Sequence, residues 1–254
     1  MIQALYTAST GAKNLQNRID TVSNNVVNIN TDGFKASRVG FKDALYQTMR
    51  SPLQPQGGAN LQLGSGMLTS DTTINFRKGA IRGTQEMLDF ALEGDGFFSV
   101  QNAQGQTRFT RNGAFAISTE AGGNYLVTKA GDYVLDENGK RMELAADTMD
   151  IECSQDGLLT DHSGNVLGRL GIVRFDNPEG LQKAGDNLYS ASNVSGAARA
   201  DADPKVRQRA LEGSNVDLGE EMTKLIRAQR AYTLISRAIT TADQMESAAN
   251  NLRK

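Results

Sequence analysis

The sequence predicts an α+β fold: long N- and C-terminal helices pairing as a coiled coil, with a central antiparallel β domain. Three observations predict it. Apolar residues at the start of the chain recur alternately four and three apart, a second apolar stripe runs along its end, and between them the pattern changes to short alternating runs broken by Gly- and Asn-containing turns.

The first element covers residues 1–35. Met1, Leu5, Ala8, Ala12, Leu15, Ile19, Val22, Val26 and Ile29 keep a heptad seam for about four repeats, a helix roughly 45 Å long at 1.5 Å per residue. Its end reads "SNNVVNINTDGFK", where no charge falls between Thr21 and Thr31 although Asn24, Asn25, Asn28 and Asn30 flank the seam. Asparagine is a poor helix former. Two readings fit. The amides can meet polar groups of a neighbouring helix, where a charge would suffer desolvation. Alternatively this is an ordinary helix end, with Gly33 as the left-handed stop.

Residues 36–74 read as an extended connector, because Pro52 and Pro55 interrupt any helix and "QPQGGANLQLGSG" sets no period. Residues 75–212 read as a β-rich domain, with "DENGK" giving the best hairpin turn at Asn138-Gly139. Residues 213–254 read as the C-terminal coiled-coil helix. Asp217 stands three residues before Glu220, a capping-box spacing. Met222, Leu225, Tyr232, Ile235, Ile239, Ala242, Met245, Ala249 and Leu252 then share one face.

Composition excludes several classes of function. With 27 basic and 29 acidic residues and no basic patch, nucleic acid is not an expected partner. One cysteine, Cys153, and one histidine, His162, cannot supply a nucleophilic triad or a His-rich metal site. Cys153 alternates like a buried strand residue, and His162 lies in a turn. Glu93 and Asp95 could in principle act as an acid and base, but a hairpin turn is the expected setting. The Gly-x-Gly stretches do not continue into nucleotide-binding fingerprints, and Lys140 sits where a calcium loop needs an oxygen ligand. No catalytic residue, cofactor, metal or small-molecule substrate is expected. The N-terminus has neither a basic n-region nor a continuous apolar h-region, so a cleaved secretory signal is not expected.

"SNNVVNINTDGFKASRVGFKD", "LDFALEGDGFFSV", "TRFTRNGAFAIS", "GDNLYSASNVSG" and "LEGSNVDLGEEMTKLIRAQRAYTLISRAITTADQM" resemble, in order, the blocks of the bacterial flagellar axial proteins, the rod and hook subunits. Within that family "LYQTMRSPLQPQGGANLQLGSG" and "EEMTKLIRAQRAY" are most like the distal-rod member, with a proximal-rod or hook-type paralogue as the alternative. Val27 stands where the family commonly has Ala, adding bulk beside the seam, and Lys78 stands where Gln is frequent.

The resemblance implies a structural subunit of the basal-body rod, a helical tube crossing the periplasm and carrying torque from motor to hook. It implies export by the flagellar type III apparatus. The partners implied are further copies of the chain and other rod, hook and ring proteins. The residues expected to make inter-subunit or coiled-coil contacts are Leu5, Ala8, Ala12, Leu15, Ile19, Val22, Asn24, Asn25, Val26, Asn28, Ile29, Leu225, Tyr232, Ile235, Ile239, Ala242, Met245 and Leu252. Before assembly the terminal helices are expected to be largely disordered, since an isolated helix gains little from propensity alone. Two other classes fit the pattern without the resemblance: a β-rich binding module held in a closed homo-oligomer, and an enzyme with its site in the β domain.

Overall fold

The computed structural model describes residues 2–48, 62–120, 123–144 and 151–252. The chain divides into two units. A helical unit comprises residues 1–27, 37–73 and 217–254, and a β unit comprises 28–36 and 74–216. Helices at the two chain ends and antiparallel pairing through the middle make this an α+β protein.

In the helical unit, α1 (Ile2–Val27) and α2 (Leu218–Leu252) pack along one another. α1 stops short of the predicted seam end. The chain turns over Asn28–Asn30, where the Thr31 N–H reaches the Asn28 carbonyl at 3.2 Å, so Ile29 and the rest of 28–36 belong to the β unit. Asp217 caps α2, its Oδ1 accepting the Glu220 N–H at 3.0 Å, as the capping-box spacing suggests.

The predicted connector is extended and also paired. Strand β1 (Ser37–Asp43) is hydrogen-bonded to β4 (Met67–Ile74), and β2 (Tyr46–Thr48) runs antiparallel to β3 (Gln62–Gly64). Asn14 of α1 serves this ladder. Its amide donates to the Met67 carbonyl, and its Oδ1 accepts the Thr69 hydroxyl at 2.8 Å. Most of the Pro- and Gly-rich segment lies outside the described residues.

The β unit contains β5 (Ile81–Gly83), β6 (Phe90–Leu92), β7 (Phe97–Gln101), β8 (Thr107–Thr110), β9 (Phe115–Glu120) and β10 (Gly123–Thr128). The main sheet runs, in spatial order, Glu143–Leu144, β10, Tyr133–Val134, β7, β8, Leu188–Ser190 and Gln182–Gly185. β9 pairs with β10, and Ile172–Arg174 pairs with β7. β7 is buried from Phe97 to Val100, and its apolar side chains feed two cores. Phe98 and Val100 join Phe90, Leu126, Leu159 and Leu170 in one. Phe97 joins Phe109, Phe175 and Tyr189 in the other, as edge-to-face pairs with centroids 4.9 to 6.0 Å apart.

Two turns show why these residues were needed. Asn138-Gly139 turns as predicted, with Gly139 at φ 75° and Asp136 Oδ1 accepting the Asn138 and Lys140 N–H groups at 2.8 and 2.7 Å. Gly113, which reads as a turn glycine in "RNG", serves close approach instead. A Cβ there would lie 1.8 Å from the Phe90 carbonyl oxygen.

Candidate assembly surface

The motif "TDGFK" plugs into the β unit. Gly33 has φ 69°, and a Cβ on it would come within 2.5 Å of the Asn112 nitrogen, so both conformation and space demand glycine. Its N–H donates to the Glu212 carbonyl at 2.7 Å. Gly33 therefore works inside the β unit, six residues after α1 has ended, and does not stop the helix. Phe34 is buried next, with the Lys183 ammonium 4.6 Å from its ring centroid.

Lys35 then enters a fully buried ionic cluster, its Nζ 2.6 Å from Glu212 Oε1 and 2.8 Å from the Arg77 carbonyl oxygen. Glu212 also accepts the Gly79 N–H at 2.9 Å and faces the Arg111 guanidinium at 3.4 Å. Arg111 in turn donates to the Gly94 carbonyl at 2.9 Å. Burial pushes the Lys35 ammonium below its ordinary pKa, and the Glu212 carboxylate opposes that push. Two cations share one carboxylate, so the cluster ties residues 33–35, the Arg111 turn and the strand Ala210–Glu212 at one point. Sequence reasoning missed Lys35, Arg111 and Glu212. A signal existed for Glu212, a carboxylate set directly after Ala210 and Leu211 in an apolar strand.

Asn25 does a comparable job in the helical unit. Nearly fully buried, its side-chain amide brackets Ser37, donating to the Ser37 carbonyl and accepting the Ser37 N–H, each at 2.9 Å. The same amide donates to Glu221 Oε2 at 3.0 Å, and Lys224 holds Oε1 at 2.7 Å. One asparagine thereby joins α1, β1 and the first turn of α2. Asn24 lies on the exposed side, while Asn28 is half-buried in the β unit and accepts the Thr31 hydroxyl at 3.2 Å.

The remaining seam residues divide clearly. On α1, Leu5, Ala8, Ala12, Leu15, Ile19 and Val26 are half-buried and Val22 is buried. On α2, Leu225, Ile235, Ile239 and Ala242 are half-buried, but Tyr232, Met245 and Leu252 are exposed. The buried side of α2 is centred on Ala228, which the predicted stripe omitted. Met222, Ile226 and Leu234 lie toward the opposite side at 100° per residue, and all three are exposed, Leu234 by 65%. Val27 is exposed by 79%, so its bulk does not enter the packing of this chain.

The other sequence candidates are accounted for by local structure. Cys153 sits in a short strand with its thiol pushed up by burial to about 12. His162 is exposed in a turn. Glu93 faces Arg207 at 3.8 Å, and Asp95 faces Lys78 and Arg174.

An N-terminal helix plugged by its tail into a β unit, and a C-terminal helix with apolar side chains on two sides, are features of a subunit that stacks. The family models agree. Residues 5–35 match the flagella basal body rod protein model, 91–161 the flagellar hook protein FlgE/F/G D1 domain, and 207–252 the flagellar basal body rod FlgEFG protein C-terminal region. Whole-chain relatives narrow this. The flagellar basal-body rod protein FlgG of Bacillus subtilis is 37% identical, with all of both chains covered. That of Agrobacterium fabrum is 39% identical over 97% of each. The flagellar hook-basal body complex protein FlhP of Bacillus subtilis is 35% identical over the whole of both. The chain belongs to the flagellar basal-body rod protein FlgG family, whose members are structural proteins of the flagellum.

Proposed function

We propose that this chain is the distal-rod subunit, polymerising head-to-tail into a helical tube that carries torque from motor to hook. Full-length similarity to rod proteins supports the placement in the flagellum. The single observation that carries the mechanism is the outward apolar side of α2. Met222, Ile226 and Leu234 are exposed on a helix whose other side already packs against α1, which is the arrangement a neighbouring copy would cover. Repetition of one such contact that does not close gives an open helical polymer.

In this reading α1 and α2 pair as a coiled coil in the inner layer of the tube, and the β unit lies outside. The packing positions are Leu5, Ala8, Ala12, Leu15, Ile19, Val22, Asn24, Asn25, Val26, Asn28 and Ile29 with Leu225, Tyr232, Ile235, Ile239, Ala242, Met245 and Leu252. Asn25 contributes by holding the pair together within one subunit. The organisation into N-terminal helix, connector, β domain and C-terminal helix follows the assembly. The terminal segments are largely disordered in the free chain and take up their helical pairing as the subunit stacks. Other rod, hook and ring proteins are its neighbours in the periplasm, and the type III apparatus exports it without a cleaved signal.

The test uses Leu15→Asp and Ile239→Asp at half-buried positions and Leu234→Asp at an exposed one. All three should abolish incorporation into basal bodies while the β unit stays folded. Normal incorporation of Leu234→Asp together with normal incorporation of the other two defeats the polymer reading. A paralogous role is the second reading, favoured by the full-length match to FlhP. Labelled subunits imaged at the hook side of the rod, or elsewhere in the basal body, separate the two.

A further inference from the structure

A cleft of about 580 Å³ opens in the helical unit where α1, β1 and the first turn of α2 meet. Its acidic groups are already occupied. Lys224 reaches Glu220 at 2.8 Å and Glu221 at 2.7 Å, and the second Glu221 oxygen holds Asn25. Its arginines are not: among the described residues, Arg18 and Arg38 are exposed at the cleft with no ion pair or hydrogen bond. Val22 and Val39 line the same cleft, so a side chain entering it leaves bulk water.

Charge is divided unequally between the two units. The helical unit carries eleven basic and eight acidic residues, the β unit sixteen basic and twenty-one acidic. Many acids of the β unit are paired within it: Glu93, Asp95, Glu137, Asp176 and Asp201 all face arginines. Asp132 and Asp186 differ. Among the described residues neither has an ion pair, and they lie close enough to each other that Asp186, together with burial, holds the Asp132 carboxyl above its ordinary range. Arg108, the cation acting on Asp132 from nearby, points a guanidinium nitrogen to Gln106 Oε1 at 2.7 Å. Two carboxylates that repel one another and two arginines without acids are complementary deficits.

We propose that the Arg18/Arg38 cleft of one subunit receives the Asp132/Asp186 pair of a second copy. This rests on the polymer reading given above. An arginine–carboxylate contact made across a partly desolvated cleft fixes register between copies and penalises wrong stackings, because a shifted copy would bring like charges together. It also relieves the repulsion between the two aspartates, so the pairing favours the assembled state over the free one.

The experiment swaps the charges in cells that make no other copy of the chain and counts basal bodies carrying the tagged subunit. Arg18→Glu with Arg38→Glu should lower the count by about tenfold or more, as should Asp132→Arg with Asp186→Arg. Combining all four substitutions should restore much of it. Arg18→Gln with Arg38→Gln, which adds no repulsion inside the fold, should give a smaller loss in the same direction. Unchanged incorporation of both reversals overturns the proposal, and so does a fourfold swap no better than either half. Absence of the wild-type subunit from basal bodies would instead strike the rod assignment, so the two failures are distinguishable.

Discussion

The two units bury different things. In the β unit the buried residues are mostly Phe, Leu, Val and Ile in two clusters, and its one buried ionic cluster has each member bound by at least two partners or by a paired charge. In the paired helices the described residues that are fully buried are Asn14, Val22, Asn25, Glu221 and Ala228, three of them polar. A helix pair with so little buried hydrocarbon gains little from the hydrophobic effect, which scales with apolar area removed from water. The lesson is that the β unit can stand by itself, whereas the helices are specified by polar contacts and left to be completed by neighbours.

The strongest way to break this comparison is hydrogen exchange on the free chain. Amides of 2–27 and 218–252 should exchange near the unprotected rate while those of β7 and β10 are protected. Equal protection in both regions would erase the contrast. Next in size is Lys35→Met, which leaves Glu212 without its closest cation in a buried site and should cost the β unit about 3–5 kcal/mol in urea unfolding. Lys35→Met combined with Glu212→Gln should recover part of that loss, since no buried acid then lacks its lysine.

Asn25→Ala removes one group that satisfies the Ser37 N–H and carbonyl and Glu221 together. It should cost about 1–3 kcal/mol, read as a lower melting temperature of assembled rods with the β unit unaffected. A pH titration sharpens the other side. Cys153 has a thiol raised from 9.0 to about 12, so its contribution is complete below pH 9.0 and is lost as pH rises toward 12. Stability of the β unit should fall across that window, and a Cys153→Ala variant should fall less steeply. The smallest expected effect on stability is that of Leu234→Asp, within about 0.5 kcal/mol at an exposed site, against a complete loss of incorporation.

Much of this was legible along the chain, for reasons that differ by element. The helices are written in heptads, and the Asp217 cap and the Asn138-Gly139 turn are local chemistry, so sequence reading finds them. The α2 seam was only partly legible. Apolar residues lie on more than one side of that helix, and periodicity alone does not choose the side that meets α1; the structure centres it on small Ala228 and leaves Met222 and Tyr232 exposed. The amides of "SNNVVN" likewise allowed two readings, and the fold uses Asn25 within its own subunit.

What the sequence determined by itself is the order of helix, strands and helix, the turns between them, and membership of a family recognised by five ordered blocks. What only the tertiary structure decided is which charges meet. Lys35, Arg111 and Glu212 are separated by 76 and 101 residues along the chain, and Asn25 and Glu221 by 196. No local pattern encodes such distances. Burial makes those meetings matter, because a charge removed from water must find its partner wherever the chain has carried it.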